Sequence, residues 1–251
     1  MYYDLAGSLV GKTVEDIFQE FTNIPFGTIY LNLSENNLNL VTENKLASII
    51  NLIPKFVKAI DLSFNSIGAK SVTEINNAFS MFSDNVKTLD LSWNGFGAIT
   101  GNEFATILHK IRANISSLNI TGNCLGSKSC NELIIIVTAI PGSVTSLNLS
   151  CNSLYRKSSN EIAKIIAAVP SHVISLDISE NRLEDFPPEE LEIIFAALPK
   201  TIKNISYDGK NVLITSAIKD SLNAQGLFSR KSAISTYENN ILQNTNALCL
   251  G

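Results

Sequence analysis

Six short segments of this chain return at one fixed interval. They run from Leu31 to Asn36, Ile60 to Asn65, Leu89 to Asn94, Leu118 to Asn123, Leu147 to Asn152 and Leu176 to Asn181, and consecutive asparagines are always 29 residues apart. A constant period of this length is the mark of a stacked-repeat architecture, in which one supersecondary unit buries its apolar face only against its neighbours. Each unit has two parts. The first is a short alternation, such as Leu89 and Leu91 inward with Thr88, Asp90 and Ser92 outward, which predicts a strand. The second carries apolar residues at helical spacing, such as Phe104, Leu108 and Ile111, then Leu133, Val137 and Ile140, then Leu191, Phe195 and Leu198. Pro54, Pro141, Pro170 and Pro199 follow helices and return the chain to the next strand. The expected fold is an α/β solenoid, a horseshoe with a parallel β-sheet on the concave side and α-helices on the convex side.

Three segments follow from this frame: an N-terminal cap over residues 1–27, seven repeats over 28–214, and a C-terminal capping helix with a polar tail over 215–251. A seventh, weaker copy runs from Ile205 to Lys210, with Tyr207 and Val212 in phase, and Thr215 to Leu222 is the expected capping helix. Tyr3 to Gly11 mimics the repeat at a spacing of 28 rather than 29. Degenerate end copies are expected, because a solenoid must close its core against solvent. The asparagine column has a structural task. Where each strand ends, the turning backbone leaves buried N–H and C=O groups, and an amide both donates and accepts. Asn36, Asn65, Asn94, Asn123, Asn152 and Asn181 are therefore assigned to a ladder and not to chemistry.

The string from Val86 through Leu89, Leu91 and Asn94 to Phe96 and Gly97, followed by a full helix, resembles the ribonuclease-inhibitor-like leucine-rich-repeat family. The resemblance spans roughly residues 28 to 214 and implies the horseshoe; it leaves function open, because function resides in sites grafted on a fold. Vertebrate inhibitors of this type alternate repeat lengths and are rich in cysteine, whereas this chain keeps 29 and is rich in asparagine, isoleucine and lysine. In that composition, and in its solitary solenoid, it resembles the leucine-rich-repeat effectors that intracellular bacteria, Legionella in particular, deliver into host cells. That second resemblance implies a secreted protein acting in the host cytoplasm on a host protein.

Charge and cysteine content narrow the classes of partner. A net charge of -4 with 19 lysines and arginines gives no concentrated positive surface for nucleic acid or anionic lipid. No apolar run is long enough to cross a bilayer, and Met1 to Gly11 lacks the layout of a signal peptide. Cys124, Cys130, Cys151 and Cys249 are scattered, which predicts free thiols in a reducing cytosol. The sequons at Asn32, Asn119, Asn148 and Asn204 fall in strands, where glycans would block the sheet; a further sequon starts at Asn114. A monomer that binds another protein is expected, with no cofactor and no metal.

Outward strand positions are the expected binding surface. The central column reads Asn32, Asp61, Asp90, Asn119, Asn148, Asp177 and Ser206; the column before the ladder reads Glu35, Phe64, Trp93, Gly122, Cys151, Glu180 and Gly209; and Ser34, Ser63, Ser92, Thr121, Ser150 and Ser179 lie between them, with Tyr30 at the start of its strand. Phe64 and the single tryptophan, Trp93, are on adjacent rungs. They read either as a binding hot spot beside acidic residues or as a cross-strand pair covering the turn. Asp61 and Asp90 are also adjacent. They read either as a solvated pair screened by Lys58 and Lys87 or as like charges awaiting a basic partner or a cation.

Enzymatic signals are sparse. His109 falls on a helix and His172 in a turn, 63 residues apart, with no nucleophile motif around either. The string holds no metalloprotease, phosphate-loop or dinucleotide motif, and Cys249 stands third from the end, one place off a prenylation box. The chain is accordingly read as non-enzymatic. One alternative survives, because the GTPase-activating proteins for Ran resemble the same repeat class and use an arginine in a loop after a strand. Arg182, directly after a ladder asparagine, is the residue that could serve; Arg112, Arg156 and Arg230 are the other arginines.

Overall fold

A computed structural model describes residues 1–41, 45–111 and 114–207. Strands and helices alternate along it: β1 (Tyr2–Asp4), α1 (Val14–Thr22), β2 (Tyr30–Asn32), α2 (Lys45–Leu52), β3 (Ala59–Asp61), α3 (Val72–Phe79), β4 (Thr88–Asp90), α4 (Gly101–Lys110), β5 (Ser117–Asn119), α5 (Cys130–Thr138), β6 (Ser146–Asn148), α6 (Ser159–Ala167), β7 (Ser175–Asp177), α7 (Pro188–Ala196) and β8 (Asn204–Ser206). The strands form one parallel sheet in chain order. From β2 onward the register advances by one repeat per rung, pairing Leu31 with Ile60, Ile60 with Leu89 and so on to Leu176 with Ile205. An eighth strand, β1, precedes the seven expected, pairing Tyr2 with Tyr30 and Asp4 with Asn32. Val212, Thr215 to Leu222, Gly209, Lys210, Arg112, Arg230 and Cys249 lie outside the described residues.

The core is a stack of layers that repeat in type but not residue for residue. Leu31, Ile60, Leu89, Leu118, Leu147, Leu176 and Ile205 point inward from the strands and meet Ile49, Ile75, Leu108, Ile136, Ile165 and Ile194 from the helices, all buried. Each such aliphatic side chain contributes about 1.5–3 kcal/mol by leaving water. Phe96 stacks on Phe104 at 4.6 Å within this layer.

Three further columns share the period. Ser71, Thr100, Ser129 and Ser158 begin α3, α4, α5 and α6, and each forms a reciprocal capping box with Glu74, Glu103, Glu132 or Glu161. Thr13 and Asp16 do the same for α1, while α7 begins at Pro188 without a side-chain cap. Lysines carry hydrogen bonds from rung to rung: Lys70 Nζ donates to the Val41 carbonyl at 2.7 Å, and Lys128 Nζ to that of Ile99. Burial holds the Lys128 ammonium below the ordinary lysine range. Gly68, Gly97 and Gly126 bring successive rungs together. At Gly126 a Cβ would lie 2.1 Å from the Ser153 carbonyl oxygen, so the backbones meet with no room for a side chain.

Candidate functional site

The asparagine column bonds along the whole stack. Asn123 Oδ1 accepts from the N–H of Asn94 at 3.0 Å and of Phe96 at 3.3 Å, while its Nδ2 donates to the carbonyls of Leu91 and Ile120. Asn65, Asn152 and Asn181 repeat both halves of this pattern toward the preceding rung. Asn94 and Asn36 accept from Asn65 and Leu9 backbone and donate to the Leu62 and Leu5 carbonyls. Every one of the six is buried.

The concave surface is left to the remaining columns, and it is shallower than the alternation implies. The hydroxyl column is largely covered: Ser34, Ser63, Ser92, Ser150 and Ser179 are buried, against the solvent-facing placement expected for them. Ser92 and Ser179 donate their hydroxyls to Asp90 and Asp177 Oδ1 in the neighbouring column, both at 2.6 Å. The central column remains at the surface and has a local task. Asn32, Asp61, Asp90, Asn119, Asn148 and Asp177 each accept, through Oδ1, the backbone N–H two residues on, at 2.8 to 3.0 Å. Asparagine and aspartate do this equally well.

The column before the ladder is held in the left-handed region on every described rung: φ is +59° at Glu35, +55° at Phe64, +56° at Trp93, +67° at Gly122, +53° at Cys151 and +56° at Glu180. The backbone enforces it, since Phe64 N–H donates to Ser92 O, and Trp93 N–H to Thr121 O, in the next rung. For a non-glycine residue this conformation costs about 1–2 kcal/mol. Phe64 and Trp93 adopt it nonetheless and stack at 5.6 Å with 12° between planes. The indole lies flat over the next rung, where Gly122 makes room; a Cβ there would sit 2.3 Å from the ring.

A second aromatic stack closes the other side. Tyr2 and Tyr30 stack at 5.0 Å, the Tyr30 hydroxyl donates to Asp61 Oδ2 at 3.0 Å, and Asn32 Nδ2 donates to the Tyr2 hydroxyl and to Asp4 Oδ1. Burial, with Asp61 adding, pushes the Tyr30 phenol well above its ordinary range. Between the stacks lie Asp61 and Asp90, paired rung to rung. Asp90 accepts from Ser92 N–H and Oγ and from Asn119 Nδ2 at 2.7 Å, yet burial, followed by the Asp61 charge, raises its carboxyl above the usual range. No salt bridge joins Lys58 or Lys87 to either carboxylate. Tyr2 and Asp4 escaped the sequence reading. The signal was present, since Tyr2 stands 28 residues before Tyr30, the offset already visible in the first copy.

The histidines and Arg182 are dispersed over the fold. His109 Nδ1 lies 2.8 Å from the Ala105 carbonyl of its own helix, and His172 is in a turn. Arg182 pairs with Asp185 at 2.5 Å and lies over the Tyr155 ring at 4.7 Å. No group of three or more potential metal-ligating side chains occurs among the described residues. Cys130 is a free thiol, but Cys124 is disulfide-bonded, which corrects the expectation of free thiols throughout. Sulfur contacts across a fold are not visible in cysteine spacing.

A Leucine Rich repeat family model matches residues 83–99. The leucine-rich repeat-containing protein LegL7 from Legionella pneumophila is 33% identical over 82% of this chain and 73% of its own, with a TM-score of 0.71. The chain belongs to the leucine-rich-repeat family. Within that family its likeness is to a Legionella protein, as the asparagine-rich, isoleucine-rich composition implied. The tropomodulin C-terminal domain of Caenorhabditis elegans also aligns, at 10% identity and a TM-score of 0.29. Curated proteins give no match. A repeat solenoid with an open sheet face is consistent with a protein-interaction scaffold, and among the described residues no helix is long and apolar enough to cross a membrane.

Proposed function

We propose that this leucine-rich-repeat chain is a non-enzymatic recognition module that holds a protein on its concave face. The contact centres on Tyr30, Asn32, Glu35, Asp61, Phe64, Asp90 and Trp93 and extends along Asn119, Asn148, Asp177 and Glu180. One observation carries the reading. Phe64 and Trp93 keep large aromatic rings at positions whose left-handed backbone favours glycine, beside a rung that has glycine. Rings retained against local strain, on an open face, are the kind of rigid anchor on which interfaces concentrate their energy. The likeness to a Legionella pneumophila protein supports the further reading of a bacterial effector, delivered by a specialised secretion system to bind a host protein. Against the GTPase-activating alternative, the Arg182 guanidinium pairs with Asp185 and lies over the Tyr155 ring.

The test is affinity capture from host-cell extract with wild type and a Trp93→Gly, Asp90→Lys double variant, each first shown to be folded. A partner retained by wild type and lost by the variant is expected. A partner retained equally by both would move the site off the concave face.

A further inference from the structure

The central column separates what the fold needs from what the face displays. An Asx side chain must accept the N–H two residues on, and Asn119, with Thr121 N–H at 3.0 Å, does so as well as Asp90, with Ser92 N–H at 2.8 Å. The negative charges of Asp61 and Asp90 are therefore surplus to the turn. They sit on adjacent rungs, partly buried, where each raises the cost of the other. Asp4 and Glu35 add to the same half of the face, and no lysine or arginine stands at an outward position of β1 to β4. Lys58 and Lys87 lie one residue before β3 and β4 and make no salt bridge to the pair. In the column of Tyr2 and Tyr30, the rungs of the acidic pair carry only the small Ala59 and Thr88, and the Tyr30 hydroxyl reaches Asp61 from one side alone, at 3.0 Å.

From this charge complementarity we infer that the N-terminal half of the concave face docks a polypeptide segment bearing arginine, whose guanidinium seats over Asp61 and Asp90 between the Tyr2–Tyr30 and Phe64–Trp93 stacks. The inference rests on the concave-face reading and names its partner's chemistry. A guanidinium suits the site better than an ammonium. It is planar, it donates to two carboxylates at once, and it stacks on aromatic faces while shedding its hydration readily. Docking also cancels the like-charge repulsion that the free face retains.

Selection of a random dodecapeptide display library on the whole protein tests this, followed by titration of the enriched peptides. Trp93 is the only tryptophan, so its fluorescence reads occupancy at the site itself, and titration calorimetry reads binding where Trp93 is replaced. Enriched peptides are expected to carry arginine and to weaken at least tenfold when that arginine becomes glutamine. The same loss is expected on an Asp61→Asn, Asp90→Asn variant, whose fold is secured by the asparagines already standing in this column. Peptides that respond to Trp93→Gly but not to either charge change would overturn the arginine proposal and leave the concave-face reading standing. Peptides indifferent to all three changes would overturn both, and a selection that enriches nothing on wild type would overturn the proposal.

Discussion

Asn123 shows how much a single side chain holds here. Its amide serves two N–H groups and two carbonyls across adjacent rungs, and an unsatisfied buried polar group costs about 1–3 kcal/mol. Asn123→Ala is expected to lose on the order of 3 kcal/mol in urea unfolding; a loss under about 1 kcal/mol would remove the ladder from the account. Gly122→Ala places a Cβ against the indole at a positive φ, so it is expected to displace Trp93, change its fluorescence and lose about 1–2 kcal/mol. An unchanged spectrum and midpoint would contradict that. Asp90 runs the other way. Its folded carboxyl lies above its ordinary value, so ionising it opposes folding at neutral pH, and that penalty fades as pH falls through the carboxylate range. Asp90→Asn is expected to be at least as stable as wild type at pH 7, with the two curves converging in acid. The ladder was legible in the sequence because one residue type repeats in one phase. Burial of the hydroxyl column was not, since alternation gives the direction of a side chain but not how far its neighbours cover it.

At the scale of the element, the convex helices are short, eight to ten residues, and their ends matter accordingly. Glu132 caps α5 through Ser129 and also accepts the Gly101 N–H of α4 at 3.0 Å. The Gly101 N–H and the Ser129 N–H and hydroxyl hold its carboxyl down at about 2, from 4.5. A lowered folded pKa gives stability that is fully present above the ordinary carboxylate value and is lost as pH falls toward 2. Glu132→Gln should therefore be less stable than wild type at pH 7 and nearly equal to it near pH 2, as read by urea midpoints across pH. A constant difference over that range would contradict the assignment. Strands and helices were legible because their apolar periods differ. The caps were legible as well, with Ser71 and Glu74 three apart and repeated at 100 and 103, 129 and 132, 158 and 161; attention to apolar phase alone passes over them. The lysine-to-carbonyl bonds at Lys70 and Lys128 share the 29-residue phase but give no local sign of reaching back one rung.

Across the whole molecule, eight strands at about 4.8 Å spacing build a surface about 34 Å long whose two halves differ. The half formed by β1 to β4 carries both aromatic stacks and the paired carboxylates. The half from β5 onward presents mostly small polar side chains, with Asp177 and Glu180 near its end. The repeat period announced the solenoid but not this division, because the period records what every rung shares and the site is made of what rungs do not share. The N-terminal strand that completes the Tyr2–Tyr30 stack was the hardest part to see, being short and one residue out of step. The most direct test of concave-face recognition is therefore Trp93→Gly, which puts at this rung the residue that the next rung already has at Gly122. Relief of left-handed strain offsets the lost stacking, so stability should stay within about 1 kcal/mol of wild type. Affinity for the captured protein should fall at least tenfold. Unchanged affinity in a folded Trp93→Gly protein would contradict the account.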